Sequence, residues 1–295
     1  MVLNGMLGIT TAYPLSVQPE SIDSLEPSYP CPRASSIYQS YGPGSSYLTS
    51  FPTPSTSSRS RWLNHFTSSR DLFARLDAIS GVDPNSRDWH QSWDHYFDNL
   101  SSRLCHSKPL PCNATTSACI SQADAEEVFR LGMWEYSHIY RDCPESLEAS
   151  AASFGVWLAE LSRHLRDVSL GRSELRYMHN VAHDGSVAKL LSVLQVETMV
   201  WPGLGSEVVF ELFRKKNNAR SDEHARRDNH DDTTATPEIS SDTRHYIRIL
   251  WGGRVLRSSS PTLGVVDMLP LEILLDYIDD LVGVGASKVK EMCGL

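Results

Sequence analysis

The chain has 295 residues, enough for two domains. With 40% apolar and 21% charged residues it has the balance of an ordinary globular protein. A net charge of −9 argues against a dedicated nucleic-acid binder, and no run has the unbroken apolar length of a transmembrane helix, so neither nucleic acid nor membrane is an expected partner.

Residues 1–60 are rich in Pro, Ser, Tyr and Gly, as in Tyr41-Gly42-Pro43-Gly44, and are expected to be irregular. Within them Tyr13-Pro14-Leu15-Ser16-Val17 reads as a strand fragment and Ser55 to Ser60 as a linker. Residues 61–168 read as a helical domain. Leu72, Phe73, Leu76 and Ile79 form one apolar stripe that Gly81 ends. Ser121 is placed to cap a longer helix with Val128, Phe129, Met133, Tyr136 and Tyr140 on one face. A third helix runs through Leu147, Ala151, Phe154, Leu158, Leu161 and Leu165. Trp89, Trp93, His95 and His106 are expected to be ordinary half-buried side chains before they are pocket lining.

This interior carries the marks of a secreted protein. The six cysteines are an even number, and Asn99-Leu100-Ser101 and Asn113-Ala114-Thr115 fit the N-glycosylation pattern. Cys105, Cys112, Cys119 and Cys143 are read as disulfide partners, because the seven-residue steps from Cys105 to Cys119 are not the short spacing of structural zinc sites. No metal or cofactor is expected. Yet Met1 to Pro14 lacks the basic and long apolar regions of a signal peptide.

Residues 169–295 read as an α/β segment. Leu175, Tyr177 and His179 share one face of a predicted strand, and Val187, Leu190, Leu191 and Leu194 have helical spacing, with Ser186 as the predicted N-cap. His183-Asp184 thus falls where a strand hands over to a helix, a place where open α/β sheets bind ligands and where free N–H groups suit a phosphate. Strands are predicted over Ser206 to Phe213 and His245 to Trp251. The polar insertion 214–244 between them balances seven basic against seven acidic side chains. Gly252-Gly253 predicts a hairpin from Tyr246–Trp251 to Arg254–Arg257, and Pro270 starts a final helix through Leu271, Leu274, Leu275, Ile278 and Leu281.

The run Tyr177 to Gln195, followed by Met199 to Glu211, resembles the carboxyl half of the fungal histidine acid phosphatases. Asp94-His95-Tyr96-Phe97-Asp98 and Leu104 to Cys112 resemble their middle region, and the likeness spans roughly residues 60–283. The resemblance implies a histidine-phosphatase-like α/β core, of which only the carboxyl-terminal part is present, under a mainly helical cap. It implies phosphomonoester hydrolysis through a phosphohistidine, with a phosphorylated small molecule as partner. Carried over, Asp184 is the general acid, His183 contacts the phosphoryl group, and His179 and Ser186 are substrate-binding residues. An ordinary aspartate pKa of about 3.9 explains why such an acid works at low pH.

The family's Arg-His-Gly loop, whose His takes the phosphoryl group, has no counterpart. Arg163-His164 runs into Leu165 inside a helix, and Arg244-His245 runs into Tyr246 at a strand. The expectation is an incomplete copy that has lost its amino-terminal part, weakly active or inactive, where full-length relatives pass through the secretory pathway. The alternative is a non-catalytic protein that binds a phosphorylated ligand.

Overall fold

Local signals start and stop the helices. Pro32 stands at the first position of α1 (Pro32–Tyr41), where its missing N–H costs nothing. The Ser57 hydroxyl accepts from the Ser60 N–H to open α2 (Ser58–Ser68), and α3 (Arg70–Ser80) ends at Gly81, whose φ of 73° is the left-handed value glycine adopts freely. After α4 (Asp94–Cys105) comes α5 (Gln122–Ser137), opened by a reciprocal capping box between Ser121 and Asp124 and continued by a π-helical turn, His138–Asp142. Then follow the 24-residue α6 (Ser146–Ser169) and α7 (Asp184–Val193). Strands β1 (Val208–Arg214), β2 (His245–Trp251), β3 (Arg254–Val255) and β4 (Leu269–Pro270) precede α8 (Leu271–Val282) and α9 (Val289–Met292).

These elements come from a computed structural model that describes residues 17–43, 57–215 and 244–295. The insertion from 216 to 243, the strand fragment expected at 13–16 and the first two residues of the expected linker lie outside the described residues. Among those described, no helix is long and apolar enough to cross a membrane.

The architecture is mixed α/β, with a small antiparallel sheet. β1 pairs with β2 along its whole length, from Val208 opposite Trp251 to Arg214 opposite His245. β3 and β4 both add to β2, and the turn at Gly252-Gly253 sets Trp251 opposite Arg254, as the glycine pair predicts. Ile247 and Ile249 alternate inward and are fully buried; Arg248 between them points outward to Glu211 and Asp267.

Two apolar cores result. One joins the sheet to α6, α7 and α8 through Phe154, Leu158, Leu191, Ile247, Leu274 and Ile278. The other lies within α3, α4 and α5 around Leu76, Trp93, Tyr96, Leu100 and Val128. Helix α6, read from the sequence together with the helical segment, thus buries its apolar face in the same core as the sheet, packed on α1, α7 and α8. The amino-terminal region is less irregular than its composition predicts. α1 lies against α6, held by hydrogen bonds from Tyr29 to the Ala152 carbonyl and between Tyr38 and Ser150, and Cys31 is bridged to Cys293.

The expectation for the cysteines holds for two of the four read as disulfide partners. Cys112 pairs with Cys119, whereas Cys105 is free and exposed and Cys143 free and buried beside His138. Trp93 is wholly buried, stacked on Phe73 at 3.7 Å, while His95 and His106 are exposed.

Helix α5 buries most of the face its apolar pattern predicts, with Val128 buried and Phe129 and Tyr136 packed against the second core, but not all of it. Met133 is exposed, and Glu135 is 2% exposed instead. The Glu135 carboxyl meets His65 Nε2 at 3.1 Å and accepts the Trp93 N–H at 2.9 Å. Burial pushes Glu135 well above its ordinary 4.5 and draws His65 down from 6.5 to about 3, so each is held toward its neutral form. As pH falls from 6.5 toward 3 the unfolded chain takes up a proton on His65 that the folded chain refuses, and the stability from this residue is lost. Glu135 acts in the opposite sense: as pH rises above 4.5 the unfolded chain releases a proton that the folded chain keeps longer, and stability is lost in that direction. Urea unfolding across pH is therefore expected to show a smaller loss on alkalinisation above 4.5 in Glu135→Gln than in the parent chain. An unchanged slope in that variant would place the proton elsewhere.

Candidate active site

The stretch around His183-Asp184 is built from three pieces. Leu175 to Val181 does not form the predicted strand. It has no backbone ladder partner among the described residues, and Leu175, Tyr177, Met178 and Val181 are exposed. Alternating side chains specify a strand only where a neighbouring backbone takes up its N–H and C=O groups, and the sheet's four strands all lie elsewhere. His183-Asp184 therefore does not sit at the carboxyl edge of a parallel sheet.

The second piece is α7, which starts three residues earlier than expected. His183, not Ser186, is the N-cap, with extended backbone (φ −82°, ψ 162°) and its carbonyl accepting from the Ser186 and Val187 N–H groups. Ser186 is buried at 1% exposure, its hydroxyl bonded to the Leu25 carbonyl and to Glu26. Its hydroxyl is thus engaged by the amino-terminal segment. A serine close to a helix start signals a cap, but here the residue three places earlier already has the capping backbone.

The third piece is the loop after α7, which carries Trp201. The Asp184 Oδ2 accepts hydrogen bonds from Trp201 Nε1–H at 2.6 Å and from the Tyr136 hydroxyl at 2.9 Å, while Oδ1 accepts the Gly185 N–H at 2.7 Å. Trp201 is stacked between Phe97 at 4.0 Å and Tyr136 at 4.1 Å, so Asp184 ties the start of α7 to the helical core. Gly132 makes room for that sandwich: a Cβ there would meet Phe97 at 2.6 Å and Trp201 at 3.0 Å.

Charge gathers around this carboxylate. Partial burial, then the neighbouring Asp184 and Asp94, push the Asp98 carboxyl above the usual carboxylate range. Burial raises the Tyr136 phenol, and Tyr140 and Asp184 push it further, so its hydroxyl stays a donor. His183 is exposed at the helix start, and its ring has no hydrogen-bond partner among the described residues. His179 is also exposed and bonds Tyr177 across 2.9 Å, with no hydrogen bond or ring contact to His183 or Asp184.

The structure thus brings Asp184 together with Tyr136, Trp201 and Asp98. Of the four residues the sequence singles out, it joins only His183 and Asp184, through their adjacency. Sequence reading missed Tyr136 and Trp201 as carboxylate donors. The Trp201-Pro202-Gly203 run was visible, but an indole that reaches back from beyond a helix leaves no periodic signal. No cluster of His, Cys, Asp and Glu among the described residues is arranged to hold a metal ion. The chain matches no family model and no curated protein.

Proposed function

We propose that this chain carries one half of an acid-phosphatase-type site, related to the carboxyl half of the histidine acid phosphatases with their helical cap, and that it holds a phosphomonoester without turning it over unaided. The observation that carries the reading is the pairing of an exposed imidazole, His183, with a carboxyl, Asp184, fixed by two side-chain donors at a helix start between two cores. His183 then contacts the phosphoryl group. Asp184, which has only Oδ1 left to carry a proton, faces the ester oxygen.

Asp98 and Asp184 repel an anion while both are ionised, so binding strengthens as pH falls and the raised Asp98 takes up its proton. Cleavage also needs a nucleophile and cations on the equatorial oxygens, and no Arg-His-Gly loop stands in these 295 residues. A chain joined to such a loop is the corresponding hydrolase.

Phenyl phosphate is the test ligand. Saturable binding that strengthens on acidification, weakens about tenfold or more in His183→Ala, and releases no phosphate is the expected result. A folded chain that ignores phenyl phosphate would overturn the recognition, and unaided turnover abolished by Asp184→Asn would overturn the missing-nucleophile half.

A further inference from the structure

We propose that a cavity of about 380 Å³ behind α7, where α1, α6 and the π-helical turn converge, is a binding site for a small organic anion: a carboxylate or phosphate on a flat apolar body. This inference does not depend on the roles of His183 and Asp184.

The walls are Tyr29, Tyr38 and Tyr140, with Ser35, Ser153 and Lys189 among them. Most of the polar atoms are already spent. Tyr29 donates to the Ala152 carbonyl, Tyr38 is bonded to Ser150, and Ser153 donates to the Ala149 carbonyl. Three groups are left over, of which the Ser35 hydroxyl is the least exacting. The Lys189 ammonium has three donors and no hydrogen bond or ion pair among the described residues, and the Tyr140 hydroxyl likewise has no hydrogen bond.

An unpaired cation and an unspent phenol lining one cavity, in a chain of net charge −9, are an arrangement that an anion completes. Burial draws the Lys189 ammonium down, against the pull of nearby Glu26, and burial raises the Tyr140 phenol so that it remains a donor. The three tyrosine rings supply apolar walls, and the volume falls in the range of small-ligand sites, roughly 300–1,000 Å³. The site is braced on one side by the Cys31–Cys293 bridge and on another by α7.

Benzoate is the probe, titrated calorimetrically into the full chain, with benzamide as its uncharged counterpart. Saturable benzoate binding is expected, with no benzamide binding. Lys189→Met, which keeps the length of the side chain, is expected to weaken benzoate about tenfold or more, about 1.4 kcal/mol. Tyr140→Phe keeps the ring and loses only the hydroxyl, so it provides a second reading should the lysine variant fold poorly. His183→Ala should leave benzoate binding unchanged. The proposal is overturned if benzoate does not bind, if benzamide binds equally well, if folded Lys189→Met or Tyr140→Phe binds benzoate as the parent does, or if His183→Ala abolishes the binding.

Discussion

Replacing Trp201 by alanine is expected to destabilise the protein by about 3–5 kcal/mol, the cost of removing a large buried aromatic. Trp201 is 5% exposed and fills the gap between Phe97 and Tyr136, so its loss opens a cavity and ends two ring contacts at once. Asp184 also loses one of its two side-chain donors. Because a domain's whole stability is roughly 5–15 kcal/mol, the variant should unfold at a much lower urea concentration. Trp201→Phe keeps much of the stack but not the indole N–H, and should lie between the two. Combined with Asp184→Asn in a double-mutant cycle, it should show coupling of about 0.5 kcal/mol or more. A Trp201→Ala cost below about 1 kcal/mol would mean that the indole is not wedged into the helical core.

The second large effect belongs to a disulfide. Cys31–Cys293 joins residues 262 apart in sequence, whereas Cys112–Cys119 spans only seven. Loop closure in the unfolded chain scales with the logarithm of that span, so removing the long bridge should cost about 5 kcal/mol and the short one about 2 kcal/mol. The long bridge also fastens α1 to the carboxyl terminus, where the Arg33 N–H bonds the Cys293 carbonyl. Paired Cys→Ala variants, Cys31→Ala/Cys293→Ala against Cys112→Ala/Cys119→Ala, compared by urea unfolding, should rank in that order. Equal costs would show that the unfolded chain's loop entropy is not what these bridges restrain.

What the sequence makes legible is local chemistry. Gly81 ends a helix, Ser121 with Asp124 starts one, and Gly252-Gly253 turns a hairpin, because each acts within a few residues of chain. What stays hidden is decided by distant partners. The alternation through Leu175, Tyr177 and His179 is genuine, but a strand needs a second backbone beside it. The burial of Glu135 depends on His65 and the Trp93 N–H, 70 and 42 positions away, which supply the hydrogen bonds that a buried carboxyl needs. Helix α1 has its apolar positions at Ala34, Tyr38 and Tyr41, yet a helix this short forms only because α6 and Cys293 hold it. The candidate site divides the same way. His183 and Asp184 are adjacent in sequence and so were visible, while Tyr136, Trp201 and Asp98 reach Asp184 from other elements.

The Trp201 indole proton provides a direct reporter on the His183–Asp184 site, since it is donated to the Asp184 carboxylate. Proton–nitrogen spectra of the labelled chain, titrated with phenyl phosphate at acidic pH, should move that indole resonance together with the Gly185 amide and the His183 ring. Lys189 and Tyr140 should stay still. An indole signal that remains in place while those two shift would contradict phosphate recognition at the start of α7.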